Sequence, residues 1–232
     1  MRGGCVTLIA SLERFIEEPL SALTHLIACF LALLGTAILI VLTWREPGKM
    51  FSLLVYGATL AALFAASTLL HGLKVGDRVR NWLNRVDHMA IFLLIAGTYT
   101  PIVYNFTQRP ERWAILFAVW GVAILGMLSK LLSARIDGFF SVVIYVLLAW
   151  GGAIPLVSVL HPTSLLSWSG LALLLAGGLI YSGGFVIYYT RRPDPWPRVF
   201  GHHEIWHLCV IGGSLCHYLF MLTNVVPAGA SA

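Results

Sequence analysis

Seven stretches of the chain are almost wholly apolar, and the polar residues fall mainly in the short segments between them. They run Ala22–Thr43, Met50–Leu70, Trp82–Tyr104, Trp113–Leu132, Phe139–Val159, Leu165–Tyr189 and His203–Val225. About 20 apolar residues are what a helix needs to cross a hydrocarbon layer of roughly 30 Å. The runs are long and unbroken rather than the short alternations of a soluble core. The connections are short, several contain Pro or Gly, and none is long enough to separate domains. The pattern predicts an all-α membrane protein, a single seven-transmembrane helix bundle over residues 1–232.

Composition agrees. Of the 232 residues, 59% are hydrophobic and only 11% charged, against about 25% charged in a soluble domain. Mean hydropathy is +0.85. The net charge of +5 does not point to nucleic acid, because no basic cluster is interleaved with aromatic residues and cytoplasmic loops of membrane proteins are basic anyway. The distribution of those charges predicts orientation. One side carries Arg2, Arg14, Lys74, Arg78, Arg80, Arg85, Lys130, Arg135, Arg191, Arg192 and Arg198; the other carries only Arg45, Lys49, Arg109 and Arg112. The amino terminus is therefore expected in the cytoplasm and the carboxy terminus outside the inner membrane. Met1–Ile16 lacks the apolar stretch of a cleavable signal, so the first span is expected to act as its own insertion signal. The four cysteines form no C-x-x-C pair and read as apolar packing residues. Glycines 177, 178, 183 and 184 suit the sixth span to close helix packing.

Ionisable groups within spans are costly and mark function by default. Here they converge. Ser67 and His71 close the second span, Asp87 opens the third, His203 and His207 open the seventh, and His25 opens the first, all at the cytoplasmic side of the expected topology. His203-Glu-Ile-Trp-His207 puts two imidazoles on one helix face, the spacing of a helical zinc signature. Zinc takes four ligands, and a catalytic zinc keeps one position for water. His71 is the best third ligand and His25 the runner-up. Three neutral imidazoles leave the metal's charge uncompensated, so a carboxylate is expected nearby, from Asp87 or Glu204. The plainer alternative is three histidines satisfied separately by backbone carbonyls or water.

At these residues the chain resembles the haemolysin III family, the bacterial branch of the progestin and adipoQ receptor group. The resemblance covers essentially the whole chain. It rests on Ser67-Thr-Leu-Leu-His71, on Asp87 opening a span that runs to Gly97-Thr-Tyr-Thr-Pro101, and on His203-Glu-Ile-Trp-His207 with His217 beyond. It implies seven helices, a cytoplasmic amino terminus, and zinc held by His71, His203 and His207, with Ser67 and Asp87 around it. The group includes adiponectin receptors and is similar at its site to alkaline ceramidases. One departure lies before the first span. The family often shows an acidic residue, then Asn, then Thr-His; here Glu18 precedes Ser21, then Thr24 and His25, so the Asn position is unmatched.

The leading function is a zinc-dependent hydrolase of a membrane lipid amide or ester. Asp87 would act as base and Ser67 as hydrogen-bond donor to Asp87 or to a developing oxyanion. Asp87 could instead balance Arg85 or Lys74, and Ser67 could bond its own helix. Glu204 is expected beside Arg191, Arg192 and Arg198, with an ion-pair alternative. His217 lies nearly three turns beyond His207 and is assigned to inter-helix hydrogen bonding. A membrane-state sensor with a structural zinc is the second function, with His25 or Asp87 as fourth ligand. An intramembrane protease ranks last, because spans four to six have no interior carboxylate. A compact bundle with few charges gives no support for a lytic pore.

Overall fold

The computed structural model describes residues 14–108, 110–132, 144–151, 166–196 and 199–228. Its main elements are helical: α1 (Pro19–Thr43), α2 (Pro47–Gly72), α3 (Asp77–Phe106), α4 (Glu111–Leu132), α5 (residues 144–151), α6 (Trp168–Thr190) and α7 (His202–Phe220). A π-helical turn, Met221–Val225, continues α7. Six of these helices are long and apolar enough to cross a membrane. The expected span Phe139–Val159 lies outside the described residues except for the stretch that forms α5.

Helix boundaries follow local chemistry that hydropathy does not register. Both α1 and α2 start at a Glu-Pro step, with proline in the first turn, where its missing N–H costs nothing. α1 therefore begins at Pro19 rather than at Ala22, and α2 at Pro47 rather than at Met50. α3 begins at Asp77, a polar turn ahead of the expected Trp82, with Asp77 at the end of the helix dipole that favours it. α6 begins at Trp168 because Ser167 caps it, its hydroxyl accepting from the Gly170 N–H at 3.0 Å.

α2 and α3 form the centre of the bundle: 61% of each apolar span is buried, against 33% for α1 and 28% for α4. The outer faces of α1 and α4 expose Phe30, Leu31, Val41, Phe117 and Leu125, as lipid-facing residues should. Small residues let the central helices approach. Gly57 of α2 abuts Thr36 of α1, and Gly97 of α3 abuts Thr59 of α2, with no room for a Cβ at either glycine. The threonines satisfy their hydroxyls within their own helices, as Thr36 does on the Ala32 carbonyl at 2.6 Å. In α6, Gly177 packs on His217, Gly178 on Trp150 and Gly184 on Cys209, as expected, whereas Gly183 meets nothing within 4 Å.

The two ends of the bundle each hold a buried polar group of residues. At one end, Lys49 lies in the first turn of α2 and is 5% exposed. Its ammonium donates to the Glu46 carboxylate at 2.9 Å, to the Val226 carbonyl at 3.2 Å and to the Ala228 carbonyl. Lys49 is thus a buried clamp on the carboxy-terminal turn rather than the loop charge of the sequence pattern. At the other end lie Glu18, His71 and the start of α7.

Candidate metal centre

α7 carries two of the histidines, and its first turn is held by its own residues. Gly201 is the N-cap, and the Glu204 carboxylate reaches back to accept the Gly201 N–H at 2.8 Å. Its other oxygen accepts from Ser21 at 3.4 Å. Glu204 is therefore a cap and a tie to α1. These bonds, rather than an ion pair with Arg191 or Arg192, hold its carboxylate, and Arg198 lies outside the described residues.

His203 and His207, one turn apart, bring their Nε2 atoms to 3.1 Å. Neutral imidazoles meet this way only if one donates to the other or if both face a cation. The spacing is close to the roughly 3.3 Å edge of a tetrahedron whose zinc–nitrogen bonds are 2.0–2.1 Å. His71, in the last turn of α2, completes the group. Its ring lies 4.9 Å from that of His203 and 4.8 Å from that of His207, and one ligand atom from each of the three falls within 4.8 Å of the others. The Nδ1 of His207 is buried without a hydrogen bond. The donor set is three nitrogens on two helices, which is chemistry suited to zinc.

His25 does not join this group. It stacks flat on His207, centroids 3.9 Å apart, and its Nε2 lies 3.4 Å from the His207 carbonyl. It presents a face rather than a ligand edge to His207, so the runner-up ligand becomes packing behind that ring. His217 bonds across to α6, its Nε2 lying 3.4 Å from the Leu174 carbonyl, as its spacing predicted.

The carboxylate beside the triad is one that the reading of the spans missed. Glu18 precedes α1, and its Oε2 lies 2.8 Å from His71 Nδ1 and 3.5 Å from His203 Nε2. Its N–H also donates to the His71 carbonyl at 2.8 Å, and Arg80 approaches its other oxygen at 3.5 Å. Partial burial raises the carboxyl's pKa, but the hydrogen bond and charge of His71, with His203 and Arg80, outweigh this and hold it below the usual carboxylate range. Glu18 therefore stays ionised at neutral pH. A Glu before a Pro-initiated helix at the same bundle end was the available signal.

Ser67 lies one turn before His71 on α2, close to Asp87 of α3. The Asp87 side chain is 21% exposed, and its Oδ2 is 4.0 Å from His88 Nδ1. Both residues, with the three histidines, line a cavity of about 820 Å³. From this polar mouth the cavity continues between α3 and α6 along Ile91, Leu94, Ile95, Leu174 and Phe185. Its size falls within the range of small-molecule sites, and its lining is mainly apolar with polar groups such as Thr98, Ser182 and His217 set among the apolar residues.

The family model described as Haemolysin-III related matches residues 13–218. Hemolysin-3 of Bacillus cereus is 32% identical over 222 residues, covering 94% of this chain and 97% of the relative. The Hemolysin-3 homolog of Bacillus subtilis (strain 168) is 30% identical, over 89% of this chain and 93% of the relative. The Heptahelical transmembrane protein ADIPOR2 of Oryza sativa subsp. japonica is 30% identical, over 75% of this chain and 80% of the relative.

Proposed function

The chain belongs to the haemolysin III family, and on that premise we propose that it is a seven-span, inner-membrane zinc protein that hydrolyses an amide or ester bond of a membrane lipid. The observation that carries the proposal is the meeting of His71, His203 and His207 at the mouth of a largely apolar cavity. The heptahelical name of the rice relative supports a seventh span around α5. The excess of Lys and Arg on one side supports a cytoplasmic amino terminus.

Zinc held by the three imidazoles would supply Lewis acidity and a water that deprotonates near pH 7. The chain's own residues supply the rest. Asp87 takes the proton at its carboxylate, with the Ser67 hydroxyl close by as a hydrogen-bond donor to it. The apolar walls bed the acyl chains and keep bulk water from the reacting carbonyl. Lipid is the substrate class because an apolar cavity inside a bundle is reached more readily from the bilayer than by a polar solute.

The test is fatty acid release from a sphingolipid amide and from a phospholipid ester by the purified, zinc-loaded protein. Release from at least one, absent in His203→Ala, is the expected result. A folded, zinc-loaded protein that releases fatty acid from neither contradicts the hydrolase.

A second reading, a membrane-state sensor with a structural zinc, is favoured by one observation. The Glu18 carboxylate beside His71 and His203 offers a fourth protein ligand, which would close the coordination shell. Zinc bound by four protein ligands, with no solvent, would support it.

A further inference from the structure

Glu18 lies outside every span, yet it touches the histidine cluster more closely than any other carboxylate among the described residues. Its placement is fixed from several directions. Pro19 follows it and disfavours the helical region for its backbone, which sits at φ −131° and ψ 85°. Its N–H is bonded to the carbonyl of the same His71 whose ring its side chain meets. Arg80, at the start of α3, approaches the carboxylate oxygen on the far side from the histidines.

We propose that Glu18 is a positioning residue of the metal centre, acting through His71. It accepts the Nδ1–H of that ring and so leaves the opposite nitrogen, Nε2, with its lone pair free for zinc. The inference rests on the zinc reading above and adds a residue to it. The physical reason is twofold. A ligating imidazole must be held in one tautomer and one orientation, which a carboxylate on its second nitrogen does. Three neutral ligands also leave the ion's double positive charge unbalanced in a low-dielectric site, and Glu18 brings one negative charge within hydrogen-bond reach. Arg80 engages the second oxygen, so only the oxygen that meets His71 faces the cluster.

Glu17 supplies the control. It makes the shorter ion pair with Arg80, 2.6 Å, but no ion pair or hydrogen bond with a histidine among the described residues. If the segment merely straps α2 to α3, Glu17→Gln and Glu18→Gln should behave alike.

The experiment is zinc affinity by chelator competition on the full chain in detergent, with helix content checked by circular dichroism. Glu18→Gln is expected to bind zinc about 10- to 100-fold more weakly, and Glu17→Gln as wild type. X-ray absorption should show the same zinc coordination shell in wild type and Glu18→Gln. Equal affinities for wild type and Glu18→Gln, equal losses in both variants, or an oxygen ligand lost in Glu18→Gln would each overturn the role. A wild-type chain that takes up no zinc at all would instead remove the zinc reading beneath it.

Discussion

The two ends of the bundle are built from similar parts and reach opposite results. Each has a Glu-Pro step that starts a helix, and each places a buried basic side chain of α2 beside the α7 unit. At the lysine end, the Lys49 ammonium finds a carboxylate and two carbonyls, so its charge and its donors are both answered. At the histidine end, two ring nitrogens face each other at 3.1 Å and a third ring closes on them, while Glu18 adds an anion. The first group already contains its cation. The second turns ring lone pairs toward one another beside the Glu18 carboxylate, whose far oxygen Arg80 approaches. A closed polar cluster clamps a fold; an electron-rich one at the mouth of a cavity binds something.

That contrast can be broken at either end. The largest effect is expected from His203→Ala, which should lose both bound zinc and lipid turnover while leaving the lysine end intact; metal content and fatty acid release check it. Asp87→Asn should keep the zinc and lower turnover by about 10²- to 10⁴-fold, the usual worth of a general base; retained turnover would remove Asp87 from the chemistry. Lys49→Met should do the reverse of the histidine variant. It strips the donor from two carbonyls and should cost about 1–3 kcal/mol of stability, seen in thermal or denaturant unfolding, with zinc affinity unchanged. The smallest effect belongs to Glu204→Gln. Weakening a helix cap should cost at most about 1 kcal/mol, and zinc affinity should stay within about threefold. A larger loss would return Glu204 to the metal site.

Much of this was legible in the amino-acid pattern, for reasons that can be stated. Apolar run length located the six described spans, because a lipid-facing helix must be apolar along its whole length. The i, i+4 spacing of His203 and His207 gave their shared face, and His71 followed from its depth at the end of α2. Polar first turns were invisible to the same reasoning. Asp77–Asn81 begins α3 as helix, but four of its five side chains are polar and the run of apolar residues starts only at Trp82. Glu18 stood out only as the acidic residue of the family's first-span pattern, because it is 53 residues from His71 and nothing local ties it to that ring. Lys49 read as a loop charge because nothing in the sequence announces the carbonyls of Val226 and Ala228 that bury it. Pairings between distant segments are the part that folding alone reveals.

The most direct test of the account is the zinc content of the detergent-purified chain, wild type against His71→Ala. One zinc per wild-type chain and almost none in the variant is the predicted result, since α2 and α7 must each contribute. Metal retained at full occupancy without His71, or absent from the wild type, would contradict a centre shared between the two helices.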